Sequence, residues 1–266
     1  MSHQRDLLVV GAGTLGSLLI QQHKEKFPEA RVVAETRTDA KHEALKSLGA
    51  EARTVSQAGD EKFANVVFCA APGGNDNYAA EVDRALNMWS GAGKFVFTSS
   101  GGVYAESSGG TVNEQSPVAS SARTQKLIDA EKCTTERGGS VLRLAGLYTL
   151  ERGAHNYWLN AGKVDGRPDG LIGLVSYEDA AAAALTVLSS EKSVKGEVFV
   201  ICDGKEQTRQ DICESALKTA MYRDKKLPVF TTTEGPIGKR YDISKALELG
   251  WKPRYPSFDE FCDLHK

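Results

Sequence analysis

The chain has 266 residues, 41% of them hydrophobic and 26% charged, with a formal net charge of −2. This is ordinary globular composition, long enough for one large domain or a domain with a smaller lobe. The near balance of charge, with Lys and Arg spread along the chain, argues against nucleic acid or an anionic membrane surface as partner, and no apolar stretch approaches the ~20 residues of a membrane helix.

The run 6–10 is a short apolar strand that leads directly into Gly11-Ala12-Gly13-Thr14-Leu15-Gly16. In this G-x-G-x-x-G turn Gly11 permits the tight bend, Gly13 lets backbone approach a pyrophosphate, and Gly16 lets the next helix pack on the strand. Leu15, Leu18 and Leu19 share one face of a helix running toward Lys26, with Pro28 as its stop, and 31–34 reads as a second strand. Strand, glycine turn, helix and strand in this order predict a dinucleotide site, with Thr14 and Leu15 offering helix N-terminal amides to phosphate.

Cofactor preference is read just after the second strand, where a carboxylate selects a ribose 2′-hydroxyl and an arginine accepts a 2′-phosphate. Here the residues are Glu35-Thr36-Arg37-Thr38. Glu35 stands near the position of an NAD-type acid. If the strand runs through Ala34, however, Thr36 takes that place, Glu35 points away, and Arg37 can grip phosphate. The expectation is NADP, with NAD as the alternative.

Further on, 39–48 is predicted helical, 51–55 a third strand, 65–70 a buried strand, 78–89 a helix and 94–100 another strand. The stretch 109–121 is polar and reads as irregular. A helix over 122–132 and a strand over 140–144 follow. Such β-α repetition predicts a Rossmann-like, doubly wound parallel α/β sheet over 1–150, with ligands at the carboxyl ends of the strands. Ala70, Ala71 and Pro72, small residues ending the fourth strand, would lie along the adenosine and ribose. Past Tyr148 the texture changes to a basic, glycine-containing stretch, 152–169, where Arg152, Lys163 and Arg167 fit an anionic ligand or a solvated face. Residues 151–266 are expected to contribute a smaller C-terminal substrate lobe and to return elements to the first domain. Capping boxes at 176–179 and 208–211 open helices to about Leu188 and Met221, a strand lies over 197–202, and a proline-bearing turn over 250–256 precedes a short last helix.

The five cysteines, Cys69, Cys133, Cys202, Cys213 and Cys262, are odd in number and lack C-x-x-C spacing, which fits a reducing compartment. The expected location is the cytoplasm, or an organelle lumen after removal of a targeting segment. Cys69, inside an apolar strand, reads as a small core residue. The histidines, at 3, 23, 42, 155 and 265, show no metal-ligand spacing, and no metal site is expected.

Several segments resemble the extended short-chain dehydrogenase/reductase family, the NAD-dependent epimerase/dehydratase group. Besides the glycine turn, residues 95–104 (FVFTSSGGVY) are similar to that family's strand-end motif, and 142–148 (LRLAGLY) to its next strand. Residues 175–182, 196–199 and 249–253 match later segments in the family's order. The resemblance implies that Ser100 hydrogen-bonds a small-molecule substrate, with Ser99 beside the cofactor, and leaves a homodimer through sheet-flanking helices open. The family's chemistry depends on a Tyr-x-x-x-Lys pair, and here the corresponding helix departs from it. Anchoring on Lys126 places Ala122 at the tyrosine position, whereas anchoring on Glu131 places Arg123 there and Leu127 at the lysine. Neither register restores the pair, and loss of a positioned general acid or base forfeits ~10²–10⁴ in rate. Tyr104 and Tyr148 are replacement acids, and Arg123 an anion-binding group. The two readings are an NADP(H)-dependent oxidoreductase or epimerase of noncanonical proton source, and a non-catalytic NADP(H)-binding sensor or scaffold.

Overall fold

The computed structural model describes residues 5–75 and 77–266. In chain order its first half holds β1 (Leu7–Val10), α1 (Thr14–Lys26), β2 (Val32–Thr36), α2 (His42–Ser47), β3 (Glu51–Thr54), β4 (Asn65–Phe68), α3 (Tyr78–Asn87), β5 (Phe95–Ser100), β6 (Ser108–Val112), α4 (Gln125–Glu136), β7 (Ser140–Leu144) and β8 (Gly146–Tyr148). The second half holds α5 (Ala154–Ala161), β9 (Lys163–Val164), β10 (Leu174–Ser176), α6 (Tyr177–Ser189), β11 (Val198–Ile201), α7 (Arg209–Leu217), β12 (Val229–Phe230), β13 (Gly238–Tyr241), α8 (Ser244–Leu249) and α9 (Phe258–Asp263).

Seven strands form one sheet in the order β11-β7-β5-β4-β1-β2-β3, and every adjacent pair in it is parallel. A parallel sheet must be covered on both faces, which is why β1 and β4 are apolar on both and fully buried. On one face Leu7, Val9, Val67, Val96 and Leu142 pack with α1 and α6. On the other Leu8, Val10, Phe68, Phe97 and Val141 pack with α3 and α4. This is the doubly wound architecture the alternating pattern predicts. The chain reverses its winding between β1 and β4, which opens a crevice at their carboxyl ends.

The segment after Tyr148 divides its elements. It returns β11 and α6 to the large sheet, while α5, α7 and α9 gather around a separate core containing Leu159, Ile212, Phe258 and Phe261. The C-terminal turn is fastened by Asp179, whose carboxylate accepts from Arg254 N at 2.7 Å and Tyr255 N at 3.2 Å. The expected box at 176–179 is therefore half made: Ser176 Oγ accepts from Asp179 N, but the Asp179 carboxylate is drawn to the C-terminal turn. At Thr208 both halves of the box form.

Two local expectations need correction. Within 109–121, read as irregular, Ser108–Val112 is β6, paired in parallel with β13; its partner lies far down the chain, so local pattern carries no sign of it. The helix expected from residue 122 begins at Gln125 and extends to Glu136. Before it, Ser121 N donates to Thr124 Oγ1 and Thr124 N to Ser121 Oγ, a side-chain-to-backbone turn that competes with helix over these residues.

Candidate cofactor cleft

The carboxyl ends of β1, β2, β4 and β5 open into a cleft of about 590 Å³. Its floor is the glycine turn, and the three glycines serve different ends. Gly11 has φ +86°, and a Cβ there would lie 2.3 Å from the backbone of Ala70. Only glycine lets the turn after β1 approach the end of β4 this closely. A Cβ at Gly16 would press on Val9 and Cys69, so this residue sets how closely α1 packs on the sheet. Gly13 meets nothing nearer than 3.9 Å, leaving bare backbone toward the cleft. It is also the N-cap of α1 and no side chain caps that helix, so the first-turn amides of Thr14 and Leu15 face the cleft available to an anion.

At the β2 end the side chains separate as alternation along a strand requires. Glu35 is fully buried and accepts from Arg53 at 3.1 Å and Arg84 at 2.5 Å. Thr36, Arg37 and Lys41 line the cleft instead. Thr36 Oγ1 is engaged by Thr38 O and His42 Nε2, both at 2.8 Å. Arg37 is exposed and rests on Gly73 O across the cleft at 3.5 Å. Three cations, Arg37, Lys41 and Arg152, line this space, and among the described residues no carboxylate does. An anion-facing helix N-terminus, a bare glycine backbone and an excess of cations suit a dinucleotide. Ala70, Ala71 and Pro72 form the opposite wall, and Tyr78 Oη fixes it by donating to Ala70 O at 2.7 Å.

The far end of the cleft is made by Thr98, Ser99, Ser100, Leu127, Leu144, Leu147 and Tyr177. Ser100 Oγ accepts from Gly102 N at 3.1 Å, which leaves its proton free to be donated. Ser99 Oγ donates to Glu131 Oε1 at 2.5 Å, and Glu131, 6% exposed, is held by Arg143 Nη2 at 2.8 Å. Cys69 lines the cleft, yet burial pushes its thiol up to about 12 and Sγ donates to Gly11 O, as a core residue would.

The remaining residues picked out from sequence lie elsewhere. Tyr104 is buried behind the cleft with the Arg143 guanidinium 4.9 Å from its ring centroid, and burial raises its phenol. Tyr148 is fully buried in the C-terminal lobe, 4.9 Å from the Phe258 ring and 5.1 Å from Phe261, and burial raises its phenol too. Neither reaches the cleft, so neither stands in for the missing tyrosine. Arg123 is an exposed turn residue without an ion pair among the described residues. Lys126 does not line the cleft; its ammonium donates to Pro72 O at 3.2 Å and Asn75 O at 3.4 Å, bracing the loop after β4. Successive residues on a helix point ~100° apart, and it is Leu127 that faces inward. The register anchored on Glu131 is therefore the one realised. Sequence reasoning missed Tyr177 and Lys41. Tyr177 was visible only as part of a cap, and Lys41 only as one of many lysines.

Sheet order, glycine turn and cleft define a Rossmann-like α/β fold with its ligand site at the topological switch point. More narrowly, it is the fold of the extended short-chain dehydrogenases/reductases, the epimerase/dehydratase proteins. No family model matches the chain, and no curated protein matches its sequence. Among solved structures it is similar to UDP-glucuronic acid 4-epimerase from Bacillus cereus in complex with UDP-glucuronic acid and NAD, at 19% identity over 98% of this chain and 97% of that one, TM-score 0.79. A conserved protein of unknown function from Silicibacter pomeroyi is 21% identical over 97% and 96% of the two chains, TM-score 0.77. UDP-glucose 4-epimerase from Thermotoga maritima is 20% identical over 98% and 97%, TM-score 0.69. Among the described residues no helix is long and apolar enough to cross a membrane, and no group of His, Cys, Asp and Glu could hold a metal ion.

Proposed function

We propose that this chain is an NADP(H)-dependent oxidoreductase acting on a small carbonyl or hydroxyl compound without the Tyr-x-x-x-Lys pair. The observation that carries the cofactor reading is the end of β2, where Glu35 is turned into the core and Arg37 and Lys41 face the cleft. A site for a free ribose 2′-hydroxyl wants an acceptor there; this one offers two cations, the requirement of a 2′-phosphate. The NAD in the similar Bacillus cereus epimerase supports a nicotinamide dinucleotide, and the preference for the phosphorylated form rests on this chain's own residues.

When bound, the reduced nicotinamide supplies a hydride to a carbonyl carbon. Gly11, Gly13, Thr14 and Leu15 hold the pyrophosphate, Thr36, Arg37 and Lys41 the adenosine ribose and its phosphate, and Ala70 to Pro72 the adenosine wall. Ser100 donates its free hydroxyl proton to the substrate oxygen and so orients the carbonyl. Tyr177 is the phenol the cleft offers as proton source. A specific observation favours a second reading, a cofactor-binding sensor: Leu127 is an apolar side chain at the position of the family's lysine.

Calorimetric titration of NADP⁺ and NAD⁺ tests the cofactor claim. NADP⁺ should bind at least about tenfold tighter, and Arg37→Ala should remove about 10–100-fold from NADP⁺ while changing NAD⁺ little, as loss of a charge-assisted hydrogen bond predicts. Equal losses on the two cofactors would take Arg37 out of the phosphate site. NADPH oxidation against a panel of carbonyl compounds separates enzyme from sensor, and no turnover at all would leave the sensor.

A further inference from the structure

A second cavity, of about 190 Å³, lies between the chain after β11, the loop before β10, and the β6–β13 pair. Three cations line it, Lys205, Lys239 and Arg240, with Glu206 as the one acid among the described lining residues. Two of the three are already paired: Lys205 with Glu260, and Arg240 with Glu206 at 2.5 Å. Lys239 is not. It is half-buried, its ammonium donates to Tyr104 O at 2.8 Å, and among the described residues no carboxylate forms an ion pair with it. A partly desolvated ammonium without a counter-charge is unfavourable, and an anion entering the cavity relieves it.

Tyr241 joins this cavity to the reacting end of the cofactor cleft. Its ring lies between two residues that lack a Cβ. A Cβ on Gly173 would fall 2.3 Å from the ring, and one on Gly101 would fall 2.8 Å from the hydroxyl. Gly101 directly follows Ser100. The tyrosine thus lines the cavity with Lys239 while its hydroxyl is held at the strand end that carries the substrate-orienting serine.

We propose that this cavity is the substrate's anion pocket: Lys239 receives the carboxylate of a small carbonyl-bearing acid, whose remaining atoms run along Tyr241 toward Ser100. This rests on the oxidoreductase reading and narrows its substrate class. The cavity is small beside the cofactor cleft, which selects a short oxo acid over a nucleotide sugar.

The test is a titration followed by protein NMR, using 2-oxobutanoate, its methyl ester and UDP-glucuronic acid on the full chain, with NADP⁺ binding measured separately. The acid should bind, the ester at least tenfold more weakly. Lys239→Gln should weaken the acid at least tenfold while leaving the ester and NADP⁺ unchanged. Gly173→Ala, which displaces Tyr241 without touching a charge, should weaken both acid and ester. Equal binding of acid and ester, an unchanged acid affinity in Lys239→Gln, or tighter binding of UDP-glucuronic acid than of the oxo acid would each overturn the pocket. Failure of NADP⁺ to bind would overturn the oxidoreductase reading instead, because the acid titration on cofactor-free protein reads the pocket alone.

Discussion

Each end of the cofactor cleft is backed by a buried carboxylate held by arginine, and the two are connected to the cleft in opposite ways. Behind the β2 end, Glu35 accepts from Arg53 and Arg84 and has no contact with the space that Arg37 and Lys41 line. Behind the β5 end, Glu131 accepts from Arg143 and also from Ser99, a cleft residue. The first acid is withdrawn from the ligand, leaving positive charge at the surface. The second acts on the cleft through one hydroxyl, consuming the Ser99 proton and leaving Ser100 as the free donor. A carboxylate near a binding site therefore says little until its direction is known.

The largest expected effect comes from Glu131. Glu131→Gln leaves Arg143, 8% exposed, without its counter-charge, and breaking a buried pair on one side costs about 3–5 kcal/mol. Thermal unfolding should show a correspondingly large fall in Tm, and a loss within about 0.5 kcal/mol would mean the pair is not the support it appears in the fold. Glu35→Gln comes next. Arg53 and Arg84 keep partial contact with water, with side chains 15% and 31% exposed, so screening reduces the effect to roughly 1.5–3 kcal/mol. The sharper readout is the ratio of NADP⁺ to NAD⁺ affinity, which this substitution should leave unchanged. A shift toward NADP⁺ would place Glu35 on the ribose after all and erase the contrast between the two ends.

Legibility in the sequence follows the same division. The glycine turn was readable because its requirements are local: a positive φ at Gly11 and bare backbone at Gly13 follow from residues adjacent in the chain. The doubly wound sheet was readable from alternation of strand and helix. The direction of Glu35 was not, since a shift of one residue in the strand exchanges the two faces. At the other end, Ser99 and Ser100 end a recognisable strand, but Tyr177 enters from α6 and Leu127 from α4, so their meeting depends on packing. Tyr104 and Tyr148 carry the right chemistry at strand ends, yet their rings are claimed by Arg143 and by the aromatic core of Phe258 and Phe261. The β6–β13 pair, and with it the cavity at Lys239, joins segments too distant in sequence for any local pattern to show.

The smallest expected effect falls on Arg123, which inherits the place of the family's tyrosine in the register anchored on Glu131. Position in a motif and position in space part company here: the hydroxyl turn of Ser121 and Thr124 delays the helix to Gln125, and Arg123 is left in that turn, exposed and outside the cleft. An exposed side chain of this kind contributes within about 0.5 kcal/mol. Arg123→Ala should therefore leave Tm, NADP⁺ affinity and any measured kcat/KM within about twofold of the wild type. A loss of tenfold or more in kcat/KM with unchanged Tm would show that the turn closes onto the ligand during turnover, and would return Arg123 to the reacting end beside Ser100.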